Sequence, residues 1–142
     1  MTIKVRGLAP LLQVFDMPTS ITFYRDVLGF EIVGTDRKPV PHNEWVLLEL
    51  DGTQLMLNTA YEADRRPAEP DASRIAAHRD AAIYFGCPDV DSAYAHLRDK
   101  GIPLKPPRVA PYGMKQLYLL DPDGYELCFQ WAAQKTETPA AG

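Results

Sequence analysis

The sequence has few of the residues that metal-binding, secreted or nucleic-acid-binding domains require. Its 142 residues include only three histidines and two cysteines. Cys87 and Cys128 have neither a metal-binding spacing nor a disulfide framework. Lys and Arg number 15 against 19 Asp and Glu, a net charge of −4 that argues against a nucleic-acid partner. No apolar run approaches a membrane span and no signal-peptide pattern opens the chain. We therefore expect a cytoplasmic protein with reduced cysteines and no membrane partner.

Length and composition are those of one globular domain. Hydrophobic residues make up 46% of the chain and charged residues 24%, which is ordinary for a soluble protein. A chain of 142 residues is long enough to bury a hydrophobic core of its own. We therefore predict a single domain that spans residues 1–142.

The chain repeats itself after about 73 residues. Asp16, Arg25 and Asp26 recur as Asp89, Arg98 and Asp99, each 73 positions later. Two turn signals, Leu50-Asp-Gly-Thr and Asp121-Pro-Asp-Gly, also occupy corresponding places. Two copies are too few for a solenoid. They indicate two half-modules that share one core, with a candidate site near the pseudo-twofold axis.

Each half has the same predicted order of elements. Apolar periodicity, an aspartate N-cap and a terminal glycine predict helices from Asp16 to Gly29 and from Asp89 or Asp91 to Gly101. Apolar runs predict strands over residues 8–15, 30–34, 45–50, 53–59, 81–87, 102–109, 115–120 and 125–131. The order is βαβββ twice, an α+β fold. Module 1 covers about 7–60, a polar linker about 61–79, module 2 about 80–131, and a flexible tail 132–142.

Strand alternation sorts side chains onto two faces of each predicted sheet. Leu55 and Leu57 point one way, as do Leu127 and Phe129, and these apolar sets are expected under the helices. The opposite faces are mixed, and we expect them to line a concave cleft between the modules. The candidate ligand contacts there are Gln13, Gln54, Met56, Asn58, Tyr84, Tyr112, Met114, Gln116, Cys128 and Gln130.

The motifs Tyr24-Arg-Asp-Val-Leu-Gly-Phe30 and Asp121-Pro-Asp-Gly-Tyr-Glu-Leu, set in duplicated βαβββ units, resemble the vicinal oxygen chelate superfamily. It contains glyoxalase I, extradiol dioxygenases and fosfomycin- and bleomycin-resistance proteins, and the resemblance covers about residues 7–131. It implies two pseudo-symmetric modules that form a concave mixed-sheet cleft. Pro111-Tyr-Gly-Met-Lys115 is similar to an element of the bleomycin-resistance branch, whose members bind a drug as dimers without metal.

The resemblance also implies where a divalent metal would be bound. The enzymes of this superfamily use four side chains, usually histidine and glutamate, two from each half. The matching positions in this chain are Ala9, Met56, Ala82 and Cys128. Alanine cannot bind a metal, and thioether or thiol sulfur is unsuited to hard or borderline ions. We therefore expect neither a metal nor another cofactor.

Other chemical readings of single residues are weaker. His42, His78 and His96 are interpreted as solvated surface residues rather than ligands, with His42 in a loop that could cover the cleft. Glu126 could act as an acid or base, but an edge residue or ion pair is favoured. Cys128 could be a nucleophile, but no histidine can be assigned to it, so packing is favoured.

The sequence therefore favours a homodimer that sequesters a small organic molecule without metal, as in antibiotic resistance. The rival hypothesis is an enzyme, either a lyase or isomerase of the glyoxalase type or a relative of the dioxygenases. A third is an accessory subunit whose cleft has lost its ligand. Catalysis is not assigned to any residue.

Overall fold

A computed structural model describes residues 1–139 of the chain as two compact units, with the boundary between Pro70 and Asp71. The boundary falls inside the segment 61–79 that the sequence predicts as the linker. The first unit contains β1 (Leu11–Val14), α1 (Met17–Ile21), β2 (Glu31–Thr35), β3 (Trp45–Leu50) and β4 (Thr53–Thr59). The second contains α2 (Ala72–Ala77), β5 (Ala82–Gly86), α3 (Val90–Asp99), β6 (Arg108–Val109), β7 (Met114–Leu120) and β8 (Glu126–Ala132).

Each unit builds one four-stranded mixed sheet. The strand order is β1-β4-β3-β2 in the first sheet and β5-β8-β7-β6 in the second. Each sheet has one parallel pair at one edge, β1–β4 in the first sheet and β5–β8 in the second. All other pairs are antiparallel. The predicted α+β class and the repeated βαβββ order are thus confirmed.

The predicted caps and turns hold the elements in place. Asp16 and Asp89 accept the backbone N–H of Thr19 and Ser92 and so begin the two amphipathic helices. The first helix continues over Thr22–Val27 with π-helical hydrogen bonds, such as Leu28 N to Phe23 O at 3.0 Å. Asp51 and Gly52 have φ of 48° and 79°, which is the geometry of a two-residue hairpin turn between β3 and β4.

Helices α1 and α3 each pack on the apolar face of their own sheet. Leu55 and Leu57 are buried in the first unit, and Leu127 and Phe129 in the second, as alternation predicts. The helices supply Ile21 and Tyr24, which are fully buried, and Val90 and Leu97. Burial of each such side chain is worth about 1.5–3 kcal/mol, so these faces stabilise each unit and leave the opposite faces open.

The predicted strand over residues 102–109 is wrong for most of its length. Only Arg108 and Val109 pair with β7. Pro103, Pro106 and Pro107 lack the N–H that a sheet ladder requires, and this explains why an apolar run did not form a strand.

Two segments predicted without regular structure are held by hydrogen bonds. The linker contains α2, and a 3₁₀ turn follows it over His78–Asp80. The tail is anchored where Ala133 N donates to Gly113 O at 2.9 Å and Lys115 Nζ donates to Glu137 Oε2 at 2.5 Å. Strand β8 extends one residue into the predicted tail, to Ala132, and residues 140–142 of that tail lie outside the described part.

Within residues 1–139, no helix combines the length and the apolar character that crossing a membrane requires.

Candidate functional site

A tyrosine pair covers a buried cysteine on the open face of the second sheet. Cys128 on β8 has Tyr84 of β5 and Tyr118 of β7 as its lateral neighbours. The two phenol oxygens are 3.0 Å apart, and the rings meet edge to face at 6.2 Å. Tyr84 is 49% exposed and Tyr118 37%, whereas Cys128 is fully buried. The tyrosines therefore shield the thiol from solvent on a face that otherwise lies open.

A polar network occupies the next row of the same face. Gln116 on β7 lies opposite Gln130 on β8. The amide nitrogen Nε2 of Gln116 donates to Gln130 Oε1 at 2.9 Å and to the Tyr112 hydroxyl at 2.8 Å. Gln116 is almost fully buried, while Tyr112 is 69% exposed. The network therefore fixes the orientation of both amides and holds an exposed aromatic ring above them.

The environment of the tyrosine pair keeps its acidic groups protonated. Burial raises the pKa of the Cys128 thiol, and its hydrogen bonds with Tyr118 and Leu117 do not offset this effect. Burial and the hydrogen bond with Tyr84 also raise the pKa of the Tyr118 phenol far above its usual value. At neutral pH neither a thiolate nor a phenolate is present, so this cluster does not supply a nucleophile or a strong base.

The open face of the first sheet carries Glu49 opposite Gln54 near the hairpin turn, and two further short rows. In one, Asn58 lies between Gln13 and Trp45, and its Nδ2 donates to Gln13 Oε1 at 3.2 Å. In the other, Met56 lies between Leu11 and Leu47. The face is thus part polar and part apolar.

The structure groups some of the predicted contacts and separates others. Tyr84 lies beside Cys128, and Tyr112, Gln116 and Gln130 form one network. Three predicted contacts stand apart from these groups. Gln54 lies opposite Glu49 near the hairpin turn, Met56 lies between two leucines, and Met114 begins β7 opposite Ala132.

Two aromatic residues on these faces are absent from the predicted contacts. Tyr118 shares its strand face with Gln116, and Trp45 lies directly opposite Asn58. Strand parity within β7 was sufficient to find Tyr118. Trp45 required the register between β3 and β4, which the short hairpin turn fixes.

The four positions where the superfamily holds a metal do not suit one in this chain. In the first unit, Met56 has apolar lateral neighbours, and Ala9 precedes β1. In the second unit, Ala82 lies opposite Glu126, two residues from the covered Cys128. Within residues 1–139, no three His, Cys, Asp or Glu side chains form a group that could hold a metal ion. Two alanines, a thioether and a protonated thiol do not match the oxygen and nitrogen donors that divalent metal ions of these enzymes prefer, and Glu126 beside Ala82 is a single carboxylate.

One histidine differs from its predicted role. His78 is half-buried, stacks on Tyr125 with ring centroids 3.9 Å apart, and places Nδ1 2.7 Å from the Asp123 carbonyl oxygen. The interpretation of His78 as a solvated surface residue is therefore wrong. His42 lies exposed in the loop before β3 and lines a cavity of the first unit.

Comparison with known families agrees with this architecture. The family model described as Glyoxalase/Bleomycin resistance protein/Dioxygenase superfamily matches residues 8–129. The chain belongs to this superfamily. No curated protein matches its sequence.

Several solved structures share the fold of this superfamily member. SMU.1112c is 27% identical with a TM-score of 0.71, and the match covers 92% of this chain and all of that one. A superfamily member from Sphaerobacter thermophilus DSM 20745 is 25% identical, with a TM-score of 0.64 over 89% of this chain and 97% of its own. TnmS3, an antibiotic binding protein from Streptomyces sp. CB03234, is 23% identical, with a TM-score of 0.66 over 94% and 100%. At this identity TnmS3 shows a shared fold only.

Proposed function

We propose that this protein binds a small planar organic molecule without a metal ion and acts by sequestration, with no bond made or broken. The observation that carries the proposal is the tyrosine–glutamine surface of the second sheet, formed by Tyr84, Tyr112, Tyr118, Gln116 and Gln130. Its three rings are exposed and offer flat apolar area with a polar tip. The amides are already oriented by hydrogen bonds, so binding would cost little ordering.

The remaining predicted contacts are proposed as secondary. On the second sheet, Cys128 would form the floor beneath the tyrosine pair, and Met114 would contribute apolar area at the end of β7. On the first sheet the proposed contacts are Gln13, Gln54, Met56 and Asn58.

Binding without catalysis accounts best for the chemistry of the site. The metal positions lack suitable donors, and the raised pKa values of Cys128 and Tyr118 leave both groups protonated. A glyoxalase-type lyase or isomerase, or a dioxygenase relative, would need a donor set that these positions do not offer. TnmS3, which shares the fold, is an antibiotic binding protein, so binding of a small organic molecule is a function that this fold can serve.

We further propose that the protein is a homodimer, as the bleomycin-resistance branch implies, and that it is cytoplasmic, where its two free cysteines would stay reduced. Sedimentation equilibrium at micromolar concentration should give twice the chain mass. A single species of one chain mass over the whole concentration range would contradict this part of the proposal.

Calorimetric titration with a panel of planar aromatic antibiotics, and separately with bleomycin, tests the binding proposal directly. We expect saturable binding in excess EDTA, with the ligand recovered unchanged in mass. Tyr84→Ala should weaken it about tenfold because an exposed aromatic contact is lost.

The matched control is Trp131→Ala. Trp131 is 47% exposed and lies on the same sheet, but alternation along β8 places it on the opposite face from Gln130. Its loss should leave affinity unchanged. Equal weakening by both variants, or a chemically altered ligand, would contradict sequestration on the tyrosine–glutamine surface.

A further inference from the structure

A second candidate site lies within the first unit. A cavity of about 220 Å³ opens where β1 ends, where α1 begins and where β4 ends. The loop before β3 and the segment after β4 complete its walls. None of the ten predicted contact residues lines it. Its volume is below the roughly 300 Å³ at which pockets for drug-sized ligands begin, so it suits a single-ring molecule.

One wall of this cavity is aromatic. The rings of Phe15 and Tyr61 meet edge to face with centroids 6.2 Å apart. The guanidinium carbon of Arg66 lies 5.3 Å from the centre of the Phe15 ring. An aromatic ligand would find here both an apolar contact and a cation held by the ring beside it.

Each acidic side chain that lines the cavity forms an ion pair with a basic side chain that also lines it. Arg66 Nη1 pairs with Asp16 Oδ1, and Lys38 Nζ lies 2.6 Å from Glu44 Oε1. Burial opposes ionisation of Asp16, but hydrogen bonds from Thr19 and Arg66 prevail and lower its pKa, so it stays charged and paired.

The hydrogen-bonding capacity that remains is therefore mostly of the donor type. Asp16 accepts a hydrogen bond from only one terminal nitrogen of Arg66, so other guanidinium N–H groups remain able to donate to a ligand. Glu44 accepts a hydrogen bond from one of the three N–H groups of Lys38, so the other two remain able to donate. The His42 ring makes no hydrogen bond to any side chain or backbone group among residues 1–139. A ligand that complements this set is rich in acceptors.

The loop that carries Lys38 and His42 is held in place before any ligand binds. Asp36 accepts the backbone N–H groups of Lys38 at 2.9 Å, Glu44 at 2.6 Å and Trp45 at 3.2 Å. It also accepts Asn43 Nδ2 at 3.1 Å. A wall fixed in this way saves the ordering cost that a mobile loop would add to binding.

We propose that this cavity binds a single-ring aromatic carboxylate. The ring would lie against Phe15 and Tyr61, and the carboxylate would accept hydrogen bonds from Arg66 and His42. Charge-assisted bonds of this kind, above all to arginine, are the strong ones. This site shares no residue with the tyrosine–glutamine surface, so it can be tested independently of the sequestration proposal.

Titration of the full chain with benzoate, followed by amide NMR shifts, tests the inference. We expect saturable shifts at Asp16, His42 and Thr59, which surround the cavity. Benzamide, which keeps the ring but not the charge, and acetate, which keeps the charge but not the ring, should both bind much more weakly. Equal affinity for benzamide, or benzoate shifts centred elsewhere, would overturn the proposal.

Two arginine variants distinguish binding in this cavity from nonspecific attraction of benzoate to positive charge. Arg66→Gln should weaken benzoate about tenfold, because it removes a charge-assisted contact. Arg65→Gln is the matched control: Arg65 is the adjacent residue, 78% exposed at its side chain, and it does not line the cavity. Equal losses in both variants would overturn the proposal.

His42→Ala provides a second test if Arg66→Gln lowers the melting temperature. His42 is exposed and its side chain holds no other part of the fold, so this variant should fold normally. We expect it to weaken benzoate several-fold. Unchanged affinity in a folded His42→Ala protein would overturn the assigned carboxylate contact.

Discussion

At the scale of single residues, the covering of Cys128 is the feature that alternation alone did not predict. Alternation places Cys128 on the open face of β8, yet the thiol is fully buried because Tyr84 and Tyr118 close over it. Trp131 shows the reverse, since it lies on the helix-facing side but is 47% exposed at the end of the strand. Facing direction follows from strand parity, whereas exposure depends on the size of the neighbours across the register.

This arrangement predicts slow alkylation of Cys128. Cys87, which is half-buried, should react with iodoacetamide first at pH 8, although burial raises its pKa too. Tyr84→Ala should expose Cys128 and accelerate its alkylation about tenfold or more, as measured by mass spectrometry of tryptic peptides.

Trp131→Ala serves as the control for this measurement, because it removes an exposed aromatic residue from the other face. Its rate of Cys128 alkylation should equal that of the wild type. Alkylation of Cys128 as fast as Cys87 in the wild-type protein would show that the tyrosine pair does not cover the thiol.

At the scale of elements, the short helix α2 is anchored on the turn before β8. Arg74 Nη1 lies 3.2 Å from Asp123 Oδ1, and both side chains are largely buried. A Cβ on Gly124 would lie 2.6 Å from Ile75 Cγ2 and 2.9 Å from the Ile75 carbonyl oxygen. Together with the stacking of His78 on Tyr125, these contacts explain why a polar segment forms ordered structure.

Two glycine substitutions distinguish the cost of backbone strain from the cost of a clash between the turn and helix α2. Gly52 and Gly124 have nearly the same φ, 79° and 81°, but only Gly52 has open space around it. Gly52→Ala should cost about 1–2 kcal/mol, the price of a left-handed conformation. Gly124→Ala should cost a further ~1–3 kcal/mol through overpacking against Ile75.

Urea unfolding followed by circular dichroism measures both free energies of unfolding. Equal costs for Gly52→Ala and Gly124→Ala would contradict the close approach of α2 to the turn.

The cap of α3 predicts a defined pH dependence. The backbone N–H and hydroxyl of Ser92 donate to Asp89 and hold its pKa below the usual value. A carboxyl group with a lowered folded pKa stabilises the protein above its unfolded pKa of about 3.9. This contribution disappears as the pH falls through the folded pKa.

Asp89→Asn keeps an oxygen that can cap the helix but loses the charge. Its urea midpoint should be lower than that of the wild type at pH 7, and the difference should close as the pH approaches 2. Asp99→Asn, at the opposite end of α3, is the control and should not lower the midpoint at pH 7, because a negative charge there opposes the helix dipole. A wild-type advantage over Asp89→Asn that persists at pH 2 would contradict this account.

The elements that the sequence predicted well have both a periodic pattern of apolar residues and a turn or capping residue that marks where the element ends. The strands over 45–50 and 53–59 match β3 and β4 in full because Asp51-Gly52 defines the turn between them. The run 102–109 had an apolar pattern, but its prolines removed the donors that pairing needs. Helix α2 had a capping aspartate, Asp71, but no apolar stripe, so only its tertiary contacts reveal it.

At the scale of the whole molecule, duplication explains the fold. Both units repeat one mixed sheet with a helix on one face, and the family match over residues 8–129 covers both copies. The sequence predicted this repeat because its signals are local caps and turns. The tyrosine–glutamine surface and the cavity beside Phe15 depend on register and loop closure, so sequence alone predicted only part of the first and none of the second.

The binding that we propose for the tyrosine–glutamine surface needs no metal ion. The most direct test is metal analysis of protein purified without chelator or nickel, followed by thermal melts after addition of Mn²⁺, Fe²⁺, Ni²⁺ or Zn²⁺. We expect less than about a tenth of an equivalent per chain and no rise in melting temperature, since a metal that binds only the native state must stabilise it. About one equivalent per chain, with a clear rise in melting temperature on addition of that metal, would show that the protein has a metal site.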